Sequence, residues 1–320
     1  MSPLRIVFMG TPEFAVPALN AVQANHTVVA VYTQPDKPVG RGLDLRASPV
    51  KVRALEMGLP VYQPEKLSQP GEFERLQSLK PDLILVVAYG QILRKNVLEL
   101  PRLGCVNIHS SLLPRWRGAA PIQRAMLAGD SETGITTMHL VEKLDAGDIL
   151  LQQTTPISSE DTAGSIHDRL ARIGAELILP TLEGLSNGSL KGTKQDESKV
   201  TYAAKLTKEM EALNPFQSTA IQLSRQVRAL NPWPGTSLDV GQRLKVKQVR
   251  VRSDLKGHEG QIYEKAGMLL LGTGDGALEL IRVQWDGKKE VDAGGFLNGL
   301  RGRGQSLPLR VKTAASTDVS

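Results

Sequence analysis

Short apolar runs that alternate with helix-like segments constrain the fold of this chain more than any other feature. The runs contain mainly aliphatic side chains and suit strands that are buried on both faces; they lie at residues 4–9, 28–32 and 83–88. Segments with helical spacing lie between them, at residues 17–22, 50–57 and 73–79. Because parallel strands are joined by helical crossovers, this order predicts a doubly wound α/β sheet.

The turn after the first predicted strand, Gly10-Thr11-Pro12, bears on the class of ligand. Functional loops of such a sheet gather at the carboxyl ends of its strands, where this turn, residues 88–90 and His109 all fall. No G-x-G-x-x-G follows the first run, and no phosphate-loop lysine motif occurs in the chain. The sequence therefore argues against an NAD-dependent oxidoreductase, and we expect no NAD.

A second, smaller domain is predicted beyond the α/β part. Two further strands are expected at residues 134–141 and 149–155, and an amphipathic helix follows over about residues 162–185. After a helix at residues 219–229 come five short alternating segments, at residues 237–240, 244–251, 260–264, 268–272 and 278–283. Such strands predict a small β-barrel of the oligonucleotide-binding (OB) type, with a closing helix at residues 294–300.

These segments divide the chain into residues 1–189, a polar and aperiodic linker at residues 190–208, and residues 209–320. Charge is distributed unevenly over them. Residues 1–204 hold 21 basic and 21 acidic side chains, whereas residues 205–320 hold 18 and 12, which accounts for the whole net charge of +6. A basic domain suggests a polyanionic partner such as nucleic acid. From the charge alone, an ordinary surface of lysines and arginines that keeps the protein in solution is an equally good explanation.

Cysteine content and hydropathy exclude several classes of protein. Cys105 is the only cysteine, so the chain has no intramolecular disulfide. No grouping of His, Cys and carboxylates has the spacing of metal ligands, and we expect no metal. No segment approaches the roughly 18 apolar residues of a membrane span, and the N-terminus lacks the features of a signal peptide. We expect a cytoplasmic protein and, without an obvious apolar assembly surface, a monomer.

Residues 105–122, CVNIHSSLLPRWRGAAPI, contain the strongest candidates for catalysis. Asn107 and His109 alternate on a predicted strand, so their side chains leave it on the same face. An amide and an imidazole side by side suit the polarisation of a carbonyl and the movement of a proton. The residues alone leave a plainer alternative nearly as strong, namely that these polar side chains cap a turn.

A carboxylate that orients the imidazole is expected in the segment LDAGDIL. Asp145 and Asp148 are both of the right chemical type, 36 and 39 residues beyond His109. The residue types favour Asp145 only slightly, because Ala146-Gly147 permits a tight turn after it.

Two basic segments are candidates for nucleic-acid contacts. A loop at residues 34–46 contains Lys37, Arg41 and Arg46, and its length invites a function, although an ordinary surface loop is the more frequent case. The other segment is a predicted strand with Lys245, Lys247 and Arg250. In a regular strand Arg243, Lys245 and Lys247 would share one face, and Arg250 and Arg252 the other.

The chain resembles the 10-formyltetrahydrofolate-dependent formyltransferases over nearly its full length. The resemblance rests on Asn-x-His followed by SLLPRWRGAAPI, and on LDAGDIL downstream. VFMGTPEFAVPAL, the GRG loop and RALNPWPGT resemble the members of that family that act on tRNA. It implies a Rossmann-like catalytic domain, here residues 1–189, followed by an OB-like tRNA-binding domain. It also implies transfer of the formyl group of 10-formyltetrahydrofolate to the amino group of methionine on initiator tRNA, by direct attack of the amine.

Roles for individual residues follow from the same resemblance. It places Asn107, His109 and Asp145 on the catalytic positions, and it favours Asp145 over Asp148. It implies a folate site formed by Ser111, Leu112, Leu113, Pro114, Val87, Tyr89 and Gly90. It puts Arg41 in a loop that enters the tRNA acceptor arm. Leu43-Asp44-Leu45 depart from the lysines common there, and we expect weaker phosphate contacts from this loop.

Two other functions remain as alternatives. A folate-dependent formyltransferase or formyltetrahydrofolate hydrolase that acts without tRNA would share the Asn-x-His and Asp residues. A non-catalytic RNA-binding protein could retain the fold, although the intact catalytic set argues against it.

Overall fold

The computed structural model describes residues 3–39, 44–255 and 257–312. The chain forms two compact units. The first comprises Met1–Pro121, Glu132–Pro156 and Ile166–Ala203, and the second comprises Ile122–Ser131, Ile157–Ser165 and Ala204–Ser320. The matches of the predicted elements to the observed ones are close, and the fold class predicted from the sequence is confirmed.

The first unit is built on a sheet of seven strands. Its strands and the short ribbons beside it are β1 (Arg5–Gly10), β2 (Thr27–Tyr32), β3 (Lys37–Val39), β4 (Asp44–Arg46), β5 (Val61–Tyr62), β6 (Leu83–Val87), β7 (Cys105–His109), β8 (Arg117–Gly118), β9 (Glu132–His139), β10 (Ile149–Pro156) and β11 (Tyr202–Ala203). The order in the sheet is β10-β9-β7-β6-β1-β2-β5. The strands from β7 to β5 run parallel, and β9 pairs antiparallel with β7 on one side and with β10 on the other.

The aliphatic runs explain why this sheet is the centre of the unit. All five residues of β6 and five of the six residues of β1 are buried, as required of strands that are covered on both faces. The α-helices of the chain are α1 (Val16–Asn25), α2 (Pro49–Glu56), α3 (Glu72–Ser78), α4 (Lys95–Leu98), α5 (Pro121–Ala128), α6 (Ala163–Asn187), α7 (Ala220–Ala229) and α8 (Ala293–Arg301). Because β7, β6 and β1 are neighbouring parallel strands, their carboxyl ends lie side by side at one edge of the sheet.

The second unit contains a curled antiparallel sheet. Its strands are β12 (Thr236–Asp239), β13 (Arg243–Arg252), β14 (Gln261–Lys265), β15 (Met268–Thr273), β16 (Gly276–Trp285), β17 (Val291–Asp292) and β18 (Leu309–Arg310). The order is β12-β13-β16-β15-β14-β18, with β17 beside β16. The Lys312 backbone N–H donates to the Asp239 carbonyl at 2.7 Å, so the two ends of the sheet meet. Leu244, Leu278 and Phe296 are among the side chains that fill its interior.

The expected linker at residues 190–208 differs in the structure. Residues up to Ala203 belong to the first unit, where β11 pairs with β8. The segment lacks apolar periodicity because its attachments are hydrogen bonds rather than buried side chains; Gln195 is one example, with both ends of its amide bonded. The polar composition of residues 190–208 therefore did not indicate a linker that is detached from both units.

Within the described residues, no helix combines the length and the apolar character needed to cross a membrane.

Candidate active site

Strand β7 delivers the two polar side chains at the carboxyl end of the sheet. It lies between β6 and β9, with Asn107 opposite Val86 and Met138. Asn107 is half-buried and His109 is 6% exposed, whereas Val106 and Ile108 between and beside them are buried in the core. Strand periodicity thus puts the amide and the imidazole on the same face, as expected from the sequence.

The imidazole of His109 is held between a carbonyl and a carboxylate. Its Nε2 lies 3.0 Å from the Trp116 carbonyl oxygen, and its Nδ1 lies 3.9 Å from Asp145 Oδ2. Because a carbonyl only accepts, this contact assigns the proton to Nε2 in the neutral ring and turns Nδ1 toward Asp145. The Gly118 N–H donates to the same Oδ2 at 2.9 Å, which fixes the carboxylate beside the ring.

The turn that contains Asp145 has a demanding geometry. Asp145 itself has φ of +46°, in the left-handed region that few residues other than glycine favour. At Gly147 a Cβ atom would collide with the His139 carbonyl, so the backbone approaches too closely for any side chain. The rival carboxylate of Asp148 lies 4.0 Å from Lys194 Nζ. The structure thus brings Asp145 to His109.

Many polar groups of the segment from Ser111 to Pro114 are hydrogen-bonded to other residues of the protein and are not free for a ligand. The Ser111 hydroxyl donates to Arg115 O at 2.7 Å, and the Ser111 carbonyl accepts from Thr136 Oγ1 at 2.7 Å. Leu113 N–H donates to Thr136 Oγ1 at 3.1 Å, and Leu113 O accepts from Gln152 Nε2 at 2.9 Å. Leu112 and Pro114 are half-buried and so remain accessible to a ligand.

The other three residues predicted for the folate site differ in accessibility. Val87 is fully buried and Tyr89 is 1% exposed, and burial raises the pKa of the Tyr89 phenol far above its ordinary value. Their side chains belong to the core, so only backbone groups are available there. Gly90 is exposed, with φ of +86°, and lines a cavity of about 900 Å³ together with residues such as Gln91 and Ile92.

The basic loop is a hairpin, which the sequence did not reveal. Lys37 on β3 lies opposite Arg46 on β4, and both side chains are exposed. Arg41 lies outside the described residues, as does Leu43. The Asp36 carboxylate anchors the start of the hairpin, where hydrogen bonds from Lys51 (2.6 Å) and Gln63 (2.7 Å) lower its pKa.

The expected division of basic side chains between two faces of β13 is wrong. The register between β13 and β16 shifts on either side of Gln248, at a local irregularity, and the two shifts cancel. Before it, Val246 pairs with Val283 in the core, and after it the partly buried Val249 pairs with Leu280. These inward positions are three residues apart in both strands, so the alternation changes phase. The outward set is therefore Arg243, Lys245, Arg250 and Arg252, all on one face.

All four of these outward cations have carboxylate partners. Lys245 lies 2.8 Å from Asp286, and Arg250 lies 3.9 Å from Glu279. The hydrogen bond from Lys245 lowers the pKa of Asp286. Among the residues that the structure describes, no group of three His, Cys, Asp or Glu side chains could hold a metal ion.

Sequence reasoning missed a cluster around Arg117, which is fully buried. Its guanidinium donates to Gln195 Oε1 and Glu197 Oε1 at 2.8 and 2.7 Å. Gln195 in turn contacts the Asp145 turn. An arginine within an otherwise apolar and small-residue run was the only signal available, and it did not identify a partner some 80 residues away.

Cys105, at the start of β7, provides a test of how rigid this strand is. Burial raises the pKa of its thiol to about 12. Since the thiolate is the reactive form, raising the pKa from 9.0 lowers its fraction at pH 8 by about 1000-fold. We expect Ellman's reagent to label native protein at least about 100-fold more slowly than protein unfolded in guanidinium. Equal rates in the two states would show that β7 opens readily.

Two family models match the chain. The model described as Formyl transferase matches residues 4–182, and the model described as Formyl transferase, C-terminal domain, matches residues 205–301. The first contains Asn107, His109 and Asp145, and the second contains α7 and strands β12 to β17.

Curated relatives named methionyl-tRNA formyltransferase match almost the whole chain. The relative from Halorhodospira halophila is 50% identical over 307 residues, covering 93% of this chain and 96% of the relative. The relative from Methylococcus capsulatus is 51% identical over 297 residues, covering 92% and 96%.

Solved structures with the same fold include more distant proteins. WlaRD, a sugar 3N-formyl transferase crystallised in the presence of dTDP and 5-N-formyl-THF, has a TM-score of 0.67 at 18% identity, covering 90% of this chain and 100% of that one. HypX from Aquifex aeolicus in complex with tetrahydrofolic acid has a TM-score of 0.63 at 20% identity. That match covers 98% of this chain and 51% of HypX, so this chain spans about half the length of HypX.

Proposed function

The chain belongs to the formyl transferase family, and from this premise we propose that it transfers the formyl group of 10-formyltetrahydrofolate to the amino group of methionine on initiator methionyl-tRNA. The observation that carries the proposal is identity of about 50% to methionyl-tRNA formyltransferases across both the catalytic unit and the basic C-terminal part. A formyltransferase or hydrolase that acts without tRNA finds no such support among these relatives.

The residues at the end of β7 suit the chemistry of this transfer. The amine nitrogen attacks the formyl carbon, a C–N bond forms, and the carbonyl oxygen gains negative charge. The Asn107 amide donates a hydrogen bond to that oxygen, and His109 Nε2–H does the same when it exchanges the Trp116 carbonyl for the substrate. Together they stabilise the tetrahedral intermediate. Asp145 stabilises the positive charge that develops on the ring and accepts the amine proton through water. The bond from carbon to N10 then breaks, and N10 takes a proton to leave tetrahydrofolate.

Binding of the donor is assigned to the groups that remain accessible beside this set. Leu112 and Pro114 offer apolar contacts, and Gly90 offers an exposed backbone, which together suit a flat heteroaromatic ring. Ser111 and Leu113 shape the segment from within, and Val87 and Tyr89 contribute through their backbone. No metal and no NAD take part.

Binding of tRNA is assigned to two basic surfaces. In the first unit these are Lys37, Arg41 and Arg46 of the hairpin loop. In the second unit they are Lys245 and Arg250, which face outward from β13, and Lys247, next to the irregularity at Gln248. Neutralisation of phosphates by exposed cations requires no base-specific geometry, and Lys245 and Arg250 exchange carboxylate partners for phosphates.

We assign catalysis to residues 1–189 and the larger share of tRNA binding to residues 209–320, with residues up to Ala203 packed in the first unit. We assign a monomer in the cytoplasm, where charged initiator tRNA and folate are both available.

The test is transfer of formyl label from 10-formyltetrahydrofolate to methionine charged on initiator tRNA. We expect labelled N-formylmethionyl-tRNA, and no product from uncharged tRNA. Release of formate without labelled tRNA would assign the protein as a hydrolase. Binding of tRNA without any turnover would favour the non-catalytic alternative.

A further inference from the structure

The Asp145 turn is held by a residue that lies far from it in the chain. Gln195 Nε2 donates to the carbonyl of Asp145 at 2.7 Å and to the carbonyl of Gly147 at 2.8 Å. The two bonds bridge the turn whose first residue is in the left-handed region. Such a conformation costs of order 1–3 kcal/mol and persists only when its surroundings hold it.

Arg117 fixes which way the Gln195 amide points. The guanidinium donates to Gln195 Oε1 through Nε at 3.0 Å and through Nη2 at 2.8 Å. Because a guanidinium has no acceptor, the amide oxygen must face Arg117 and the NH₂ must face the turn. The orientation of the glutamine is therefore determined by its partners.

The charge of Arg117 is itself held in place. Arg117 is fully buried and pairs with Glu197 at 2.7 Å, and Glu197 accepts from Lys143 at 2.9 Å. Hydrogen bonds from Arg117 and Lys143 lower the pKa of Glu197 to about 2, so the carboxylate is ionised at every working pH. Removal of the partner of a buried charge is costly, so Arg117 is held to this carboxylate.

The same strand segment also supports the imidazole. Trp116 N–H donates to Thr201 Oγ1 at 2.9 Å, and the Trp116 carbonyl contacts His109. Gly118, on the other side of Arg117, donates to the Asp145 carboxylate. The backbone of residues 116–118 thus contacts both His109 and Asp145, and residues 195–203 hold this backbone by hydrogen bonds.

We propose that Gln195 is a positioning residue for Asp145, and that Arg117 holds Gln195 in the orientation this requires. Gln195 touches no reacting atom; it acts by placing the Asp145 carboxylate within reach of His109. The inference rests on the proposed function, since its effect is measured on formyl transfer.

Two substitutions separate this role from a packing role. Gln195→Ala removes the whole amide. Gln195→Glu keeps the size and pairs with Arg117, but places an acceptor against the two carbonyls and so loses both donated bonds. Displacements of about 1 Å in a catalytic group lower rates about 100-fold. We expect each variant to lower kcat about 10- to 100-fold while KM for folate and for charged tRNA changes less than about threefold.

A double-mutant cycle shows whether Gln195 acts through Asp145. In an Asp145→Asn background, Gln195→Ala is expected to lower kcat less than about threefold further, because the group it positions is already lost. Gln153→Ala, an exposed glutamine on β10, is the matched control, and thermal unfolding checks that each variant is folded.

Three results would overturn the inference: wild-type kcat in Gln195→Glu, the full loss repeated in the Asp145→Asn background, or an equal loss in the Gln153→Ala control. If the unmodified protein transfers no formyl group, the proposed function fails instead.

Discussion

Replacement of His109 by alanine is expected to lower kcat for formyl transfer by about 1000-fold or more. The imidazole has two tasks, stabilisation of the oxyanion and movement of a proton, and each is worth about 100- to 1000-fold on its own. KM for both substrates should change little, because His109 is 6% exposed and contributes little binding surface. The measurement is single-turnover transfer to initiator methionyl-tRNA, which separates the chemical step from product release.

A surface pair in the same unit provides the control for His109→Ala. The His167 imidazole lies 2.9 Å from the Asp168 carboxylate, and both side chains are substantially exposed. We expect His167→Ala to leave kcat within about twofold of the unmodified protein, since exposed pairs contribute little. A His109→Ala protein that is folded and retains a tenth of the activity would remove His109 from the mechanism.

Replacement of Asp145 by asparagine is expected to lower kcat by about 100-fold or more. The amide oxygen can still accept from Gly118 N–H, which now holds the carboxylate at 2.9 Å, so the turn keeps its geometry. The negative charge beside Nδ1 is lost, and with it the stabilisation of charge on the ring and the route for the amine proton.

Asp148→Asn is a stringent control for Asp145→Asn, because the two aspartates lie in the same loop. The Asp148 carboxylate is 4.0 Å from Lys194 and its side chain is 39% exposed. We expect Asp148→Asn to change kcat less than about threefold. Equal losses in the two variants would mean that the loop, and not the Asp145 charge, is what matters.

The sequence predicted those features that depend on local periodicity. Aliphatic runs located β1, β2 and β6, because burial on both faces demands apolar side chains at successive positions. Alternation on β7 placed Asn107 and His109 on one face for the same reason. These relations hold within one element, so no knowledge of the packing was needed.

Relations between distant elements were much less accessible. Residue types barely distinguished Asp145 from Asp148. In the fold, Gly147 packs closely against the His139 carbonyl, and Asp145 lies beside His109 whereas Asp148 lies beside Lys194. The irregularity at Gln248 puts the basic side chains of β13 on one face, whereas a regular strand would divide them between two. The three-residue spacing of Val246 and Val249 marks this change, but a strict two-residue alternation does not accommodate it. The clamp formed by Gln195 depends on single hydrogen bonds 48 and 50 residues apart in the chain, which periodicity cannot indicate.

The meeting of the two ends of the second unit's sheet has a consequence for biosynthesis. The strand that completes it, β18, and Lys312 follow the other strands of this sheet in the chain, so they leave the ribosome after them. Until they emerge, the outer edge of β14 and the Asp239 carbonyl lack these partners, and unpaired edges are templates for association with other chains. A message truncated shortly before codon 309 would therefore yield a polypeptide that contains β12 to β17 but leaves the edge of β14 unpaired, where chaperones and proteases can act.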